Sequence, residues 1–144
     1  MRTYQLYLID EPFASHYFGR EQMFYQLFKE YEQATGTIQF ILGKQIAFIT
    51  KNIPKDKVNN DLYRELYAEK KVSYKSNAFY IKEKNSQAKL MIYDRFLSLE
   101  AQGNYDAETV FFEVLRKEES SYLAIDLFHN RFGWLKPIKE RKFV

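Results

Sequence analysis

The chain of 144 residues contains no cysteine. It therefore forms no disulfide bond, offers no thiolate to a zinc or iron–sulfur site and has no thiol nucleophile. Histidine is nearly as scarce, and neither His16 nor His129 stands at a zinc-type spacing from a second histidine or a glutamate base. We therefore expect no bound metal.

Glycine and proline are also few, at five and three residues. The glycines are isolated from one another, so no glycine-rich loop is available to hold a phosphate or a dinucleotide, and we expect no cofactor. The longest stretch without charge, residues 33–43, is much shorter than the ~20 apolar residues of a membrane-spanning helix. Because the N-terminus shows no signal-peptide pattern either, we expect a cytoplasmic protein without a membrane span.

Aromatic side chains, by contrast, are abundant and make up 18% of the residues. The 13 Phe and 12 Tyr exceed the ordinary needs of a core of this size, so we expect some of them to face a partner. Charge is mixed, because 22 Lys and Arg stand against 19 Asp and Glu and give a net charge of +3. A weakly basic chain of this kind permits nucleic-acid binding without requiring it.

The order of the apolar patterns predicts an α+β fold, in which a mostly antiparallel sheet is packed with about three helices. No repeat, low-complexity segment or linker interrupts the chain, so residues 1–144 are expected to form a single domain. The predicted strands are 3–9, 37–50, 72–74, 78–84, one or two within 89–99, 122–127 and 132–135. The predicted helices are about 11–34 with a possible break at Gly19, 58–69 and 106–119, and residues 44–49 are also compatible with a short helix.

The helix at 106–119 has the clearest pattern. Acidic residues occupy its first turn and basic residues its last turn, which the helix dipole favours. Val110, Phe111, Val114 and Leu115 form one apolar stripe along it. We therefore expect Val114 and Leu115 to lie in the core.

The strand region at 74–84 interleaves lysines with aromatic rings, as platforms for single-stranded nucleic acid do. Tyr80, Lys82 and Lys84 would share one face of a strand, which is also how an ordinary half-buried strand looks. The basic tail at 136–142 fits a docked terminus as well as a phosphate contact. A single-stranded nucleic-acid-binding module is thus the alternative function. Because the half-buried strand explains the pattern better, we expect no direct nucleic-acid binding.

A third hypothesis is a hydrolase, since Asp126 and His129 lie close in sequence to Ser120 and Ser121. A catalytic triad is a spatial arrangement, and such sequence proximity often arises by chance. A carboxylate at a strand end, followed by a solvated histidine in a turn, explains the pattern more simply. We therefore expect that the protein is not an enzyme.

Residues 11–21 are unusually dense in aromatic side chains. Phe13 and Tyr17, one helical turn apart, would serve as paired anchors for a hydrophobic surface of another protein. Alternatively, both belong to the core on a stripe that continues to Phe24 and Phe28. Periodicity alone favours the core.

Four blocks of sequence carry a family resemblance. They are FASHYFGRE at 13–21, KQIAFIT at 44–50, GNYDAETVFFEVLRK at 103–117 and RFGWLKPIKERKFV at 131–144. In this order they resemble the SirA family, the sporulation inhibitors of replication of endospore-forming bacteria. The blocks span nearly the whole chain, whereas residues 55–100 carry no motif of the family.

The resemblance implies a non-enzymatic protein that binds the N-terminal domain of the replication initiator DnaA and prevents new rounds of initiation during sporulation. It also implies the partner-binding residues, because the family's contact positions correspond to Phe13, Tyr17 and Gln45, all of which keep the family's residue type. For Phe13 and Tyr17 it shifts the balance from core to interface. The implied mechanism is stoichiometric occupancy of a surface that the initiator needs for self-association or for loading its partners.

Overall fold

The computed structural model describes residues 1–17, 19–66, 72–119 and 121–135. The helices are α1 (Glu11–His16), α2 (Gln22–Gln33), α3 (Gly36–Ile49), α4 (Lys55–Leu66) and α5 (Asp106–Glu118). The strands are β1 (Arg2–Ile9), β2 (Thr50–Lys51), β3 (Val72–Lys75), β4 (Ala78–Glu83), β5 (Ser86–Ile92), β6 (Leu97–Gly103), β7 (Tyr122–Asp126) and β8 (Arg131–Trp134). Ser120, the predicted helix end at 67–69 and the basic tail at 136–142 lie outside the described residues.

The strands form one antiparallel sheet in the order β3–β4–β5–β6–β1–β7–β8, and the short β2 pairs with the end of β1. β1 lies in the interior of the sheet because it pairs with β6 on one side and with β7 on the other. A two-residue turn joins β3 to β4, and its residues Ser76 and Asn77 have φ of 52° and 62°, the left-handed backbone that matches the twist of a tight hairpin. The predicted α+β class with a mostly antiparallel sheet is confirmed.

The alternation of side chains along β1 separates the two faces of the sheet. Tyr4, Leu6 and Leu8 belong to the core under α4 and α5, which we call the first face. Tyr7 and Ile9 point to the opposite side, the second face, where α1, α2 and α3 pack. Because β1 carries apolar residues on both sides, it connects two separate cores.

The first face carries the larger core. Helix α5 places Phe111, Val114 and Leu115 in it, each no more than 5% exposed, and α4 contributes Leu62. The prediction that Val114 and Leu115 are core residues is therefore confirmed. Glu113, Arg116 and Lys117 on the same helix are exposed, so α5 is apolar on one side and charged on the other.

The second face is covered only in part. Its buried cluster takes strand residues from β1 and β7, with Phe24, Tyr25 and Phe28 of α2 and Ile46 of α3 packed over them. Helices α2 and α3 approach closely because Gly43 leaves room, since a Cβ at this position would lie 3.2 Å from the Tyr31 ring. On strands β3–β6 the same side of the sheet is polar and open to solvent.

The prediction of extended structure at 37–50 is wrong, and the alternative of a helix at 44–49 is correct but too short: residues Gly36–Ile49 form α3, and only Thr50–Lys51 form a strand. Isoleucine and phenylalanine favour strands by intrinsic propensity, and an apolar residue on every side of the helix hides the helical period. The helix forms because Ile46 is buried against α2 and the sheet while Gly43 packs against Tyr31. Tertiary contacts therefore override local propensity in this segment.

The predicted long helix at 11–34 is divided into α1 and α2, and with α3 this gives five helices in the described part of the chain where about three were predicted. The division falls at Gly19, whose φ of +80° lies in the left-handed region that favours glycine. The amide of Arg20 donates to the carbonyl of Tyr17 at 2.8 Å and closes the turn. The turn lets both helices pack on the buried cluster of the second face, to which α1 contributes Ala14 and α2 contributes Phe24 and Phe28.

Candidate functional site

An open groove lies between the helices of the second face. It has a volume of about 650 Å³, and its walls come from all three helices. The lining residues are Phe13, Tyr17, Met23, Phe24, Leu27, Lys44, Gln45, Phe48 and Ile49. We call it the α1–α3 groove, and its surface is mostly apolar.

All three site residues implied by the family resemblance line this groove. The Phe13 ring packs edge to face on Phe48, with centroids 5.3 Å apart. The Tyr17 ring meets Phe24 in the same way at 5.6 Å. Gln45 is exposed on α3, and its amide makes no hydrogen bond to a described residue. Two distant segments of the sequence are thus brought to one place.

Phe13 and Tyr17 are half-buried, which modifies the choice between core and interface. Both pack against the buried cluster of the second face that contains Ala14 and Phe24. Each ring therefore supports the helices with one side and presents the other side to the groove. Neither ring is fully exposed, because the short α1 lies directly on the cluster.

Helix α3 exposes an apolar surface that the sequence analysis did not identify. Ile38, Phe40, Ile41 and Phe48 are 60%, 64%, 46% and 72% exposed. Ile38, Ile41, Gln45 and Phe48 follow each other at intervals of three and four residues, so they form a single stripe along the helix. A helix that is apolar on all sides is normally buried, and contiguous exposed apolar patches mark interaction sites.

Two cations flank the groove, and each lies over an aromatic ring. Arg20, in the turn between α1 and α2, lies over Tyr17 with its guanidinium carbon 5.2 Å from the ring centroid. Lys44 on α3 lies over Phe40, with its Nζ 4.7 Å from the centroid. Neither makes an ion pair with a described residue. Both side chains are exposed at the rim, and Arg20 also donates a hydrogen bond to the His16 carbonyl at 3.3 Å.

The nearby carboxylate of Glu21 is already occupied. Its Oε1 accepts hydrogen bonds from the Gly19 amide and from the Trp134 indole nitrogen, each at 3.1 Å. Burial acts to raise the pKa of Glu21, but hydrogen bonds from its own backbone, from Trp134 and from Gly19 outweigh burial and lower the pKa. This carboxylate holds the turn in place and makes no ion pair with Arg20 or Lys44.

The cluster around Asp126 closes the β7–β8 turn. Its buried carboxylate accepts hydrogen bonds from Arg131 at 2.9 Å and from the His129 amide at 3.2 Å, and its Oδ2 lies 2.8 Å from His129 Nδ1. Burial opposes ionisation, yet the bonds from Arg131 and His129 hold the pKa of Asp126 below its usual value. Among the described residues no serine hydroxyl bonds to His129, so this cluster is explained as a structural turn.

The open side of strands β3–β6 holds the basic residues of the nucleic-acid alternative. Lys75 and Lys89 lie over the Tyr80 ring, with Nζ 5.2 Å and 5.7 Å from its centroid. Lys82 lines the same shallow depression, and Glu100 stands directly opposite Lys89 on β6. This surface offers a single aromatic ring, already covered by lysines, and therefore lacks the row of free rings that base stacking uses.

The described part of the chain offers little else for chemistry. Within it, no group of three or more histidine or acidic residues is placed to hold a metal ion. None of its helices is both long and apolar enough to cross a bilayer. The α1–α3 groove is the feature that the fold and packing leave unexplained.

Comparisons with known proteins agree with the resemblance. The family model described as "Sporulation inhibitor of replication protein SirA" matches residues 2–139. A curated protein of the same description, from Bacillus subtilis (strain 168), is 38% identical over 153 aligned positions. That alignment covers 99% of this chain and 99% of the relative.

Proposed function

The chain belongs to the SirA family of sporulation inhibitors of replication, and on this premise we propose that it inhibits initiation by binding the N-terminal domain of DnaA through the α1–α3 groove. One observation carries the proposal. Phe13, Tyr17 and Gln45, which the resemblance implies as partner contacts, come from two separate blocks of sequence and line a single groove. An exposed apolar stripe on α3 extends the same surface, as a protein-binding site requires.

Each residue has a distinct role in the proposed complex. Phe13 and Tyr17 are rigid aromatic anchors, since their packing on Phe48 and Phe24 fixes their rings before the partner arrives. Gln45 supplies an amide that both donates and accepts a hydrogen bond at the rim. In this proposal the protein acts as a stoichiometric, non-enzymatic inhibitor that covers a surface needed by the initiator, as the family resemblance implies.

Calorimetric titration against the isolated N-terminal domain of DnaA tests the proposal. Phe13→Ala and Tyr17→Ala should each weaken binding by at least ~2 kcal/mol, about thirtyfold, whereas Gln45→Ala should cost less. The matched control is Phe128→Ala, because Phe128 is 86% exposed and lies outside the groove. Unchanged affinity for both anchor variants, or an equal loss for the control, would contradict the proposal.

Because the two anchors are half-buried, their alanine variants should also lose about 1–2 kcal/mol of stability. Binding is therefore measured well below the melting temperature of each variant, with circular dichroism to verify folding. Phe48→Asp provides an independent probe, since Phe48 is largely exposed and its replacement leaves the core intact. Full affinity in Phe48→Asp would argue against the groove even if the anchor variants failed to fold.

A further inference from the structure

The walls of the α1–α3 groove restrict the conformation of what binds there. They are helices, whose backbone amides and carbonyls bond to one another, so they offer no strand edge to an extended peptide. Of the nine lining residues only Tyr17, Lys44 and Gln45 carry a polar side-chain group. An extended chain would bury its own backbone groups there without partners, at a cost of free energy. A helix brings its backbone bonds already formed.

The charge at the rim restricts the composition of the occupant. Arg20 stands on the α1–α2 turn and Lys44 on α3, and both lack an ion pair within the described chain. The carboxylate closest in sequence, Glu21, is held by Gly19 and Trp134. A partner with carboxylates beside its apolar stripe would compensate the two cations, whereas a basic partner would add repulsion.

We propose that the occupant is an amphipathic helix of a partner protein, with its apolar stripe in the groove and acidic residues on its flanks facing Arg20 and Lys44. This deepens the proposed function and rests on it only in identifying the groove as a protein-binding site. The large apolar side chains enter beside Phe13 and Phe48. Carboxylates at the flanks set the orientation and speed the encounter.

Synthetic helices test this chemistry without the initiator. Three peptides of about 18 residues, roughly five helical turns, share one leucine stripe and carry Glu, Gln or Lys on both flanks. None contains an aromatic residue, so the fluorescence of Trp134 reports binding: this is the single tryptophan of the chain, and its ring centroid lies 6.2 Å from that of the groove residue Phe24. At about 0.02 M salt the Glu peptide should bind at least ~10-fold tighter than the Lys peptide, and about 0.5 M salt should remove most of the difference.

Charge variants assign the preference to the rim. The double variant Arg20→Gln/Lys44→Gln should bind the Glu and Lys peptides with affinities within about threefold of each other. The control Lys75→Gln/Lys82→Gln removes the same charge from the open side of the sheet and should keep the full preference. Because all four residues are exposed, the fold should survive in both variants.

The outcomes separate this inference from the proposed function. Equal binding of the Glu and Lys peptides, or a preference that persists without Arg20 and Lys44, overturns the acidic helix. If the DnaA domain binds and no peptide does, the inference fails and the proposed function stands. If the Glu peptide binds and the DnaA domain does not, the proposed function fails and the inference stands. A dimer in sedimentation that dissociates in Phe48→Asp would assign the groove to a second copy of the chain and also overturn the inference.

Discussion

Helices α5 and α3 have nearly the same length, 13 and 14 residues, and pack on opposite faces of one sheet. Helix α5 buries its apolar side and exposes charged residues, as a helix that belongs only to its own fold does. Helix α3 buries Ile46 and exposes four large apolar side chains. The comparison indicates that the apolar side of α5 is covered by its own fold, whereas a large apolar surface of α3 is left open to solvent.

The largest effect on stability is expected on the first face. Leu115→Ala removes a side chain that is 3% exposed in the main core, so the free energy of unfolding should fall by about 2–5 kcal/mol. Affinity for the DnaA domain should stay unchanged below the melting temperature, because α5 takes no part in the groove. Urea melts measure the loss of stability. A loss below ~0.5 kcal/mol would place Leu115 outside the core, and α5 would then no longer differ from α3 in burying its apolar side.

The Asp126 cluster supplies the next effect. In Asp126→Asn the carboxylate that accepts from Arg131 and His129 is lost, so stability at neutral pH should fall by about 1.5–3 kcal/mol. Because the pKa of Asp126 is lowered in the folded protein, its contribution is present above the unfolded value of ~3.9 and is lost as the pH falls through the folded pKa. Thermal melts from pH 7 down to about pH 2 should therefore show the wild type and the variant converging below pH 4. A constant difference across this range would show that the carboxylate charge is unimportant.

The first face of the molecule can be predicted from the sequence more fully than the second face. The sheet and α5 are predictable, because their apolar residues alternate with polar ones at the period of a strand or a helix. Helix α3 is not, because Ile38, Phe40, Ile41 and Phe48 on its exposed sides are as apolar as Ile46 on its buried side. Periodicity is detected as a contrast between apolar and polar positions, and α3 offers little contrast.

The residues of the candidate site also fall into two groups, those implied by the family resemblance and those that were missed. Phe13, Tyr17 and Gln45 came from the family resemblance, and no spacing rule relates residues in and directly after α1 to a residue of α3. Phe48 and Lys44 were missed because extended structure was preferred for 37–50, and a short helix at 44–49 alone does not reveal the stripe that begins at Ile38. The available signal was the single charged residue between 36 and 49, together with apolar positions at intervals of three and four.

A direct test of the comparison is Phe48→Ala, which removes the most exposed aromatic side chain of α3. Because Phe48 is 72% exposed, stability should change by no more than about 0.5 kcal/mol, in contrast with Leu115→Ala. Affinity for the DnaA domain should nevertheless fall by at least about tenfold if the stripe belongs to the interface. Paired urea melts and titrations give both values, and a large stability loss would mean that α3 is already buried in the free protein.

A still smaller effect is expected for binding of single-stranded DNA to the open side of strands β3–β6. Its lysines share the surface with Glu100, so binding of single-stranded DNA should be non-specific and should vanish at ~0.15 M salt. Fluorescence anisotropy with labelled oligonucleotides across a salt series measures it. Tight, sequence-specific binding that persists at that salt would support the nucleic-acid alternative. The binding surface of the second face would then include the open side of strands β3–β6.

The smallest effect on stability, a change near zero or a gain, is expected from Tyr122→Phe in the core of the first face. The Tyr122 hydroxyl and Asp61 Oδ2 are buried without a hydrogen-bond partner, and both residues line a cavity of about 10 Å³. Burial raises the pKa of Tyr122, with Glu119 and Asp61 adding to the effect.

A cavity of this size is at the lower limit of the ~10–15 Å³ that one water needs, so we expect it to be dry and the hydroxyl to be unsatisfied. Replacing Tyr122 by phenylalanine then removes a buried polar group with no bond to lose, and stability should stay within about 0.5 kcal/mol or rise. The matched control is Tyr25→Phe, whose hydroxyl donates to Asn130 at 2.9 Å and should cost about 1 kcal/mol. Equal losses in the two variants would show that the Tyr122 hydroxyl makes a hydrogen bond to a buried water. The core of the first face would then contain solvent.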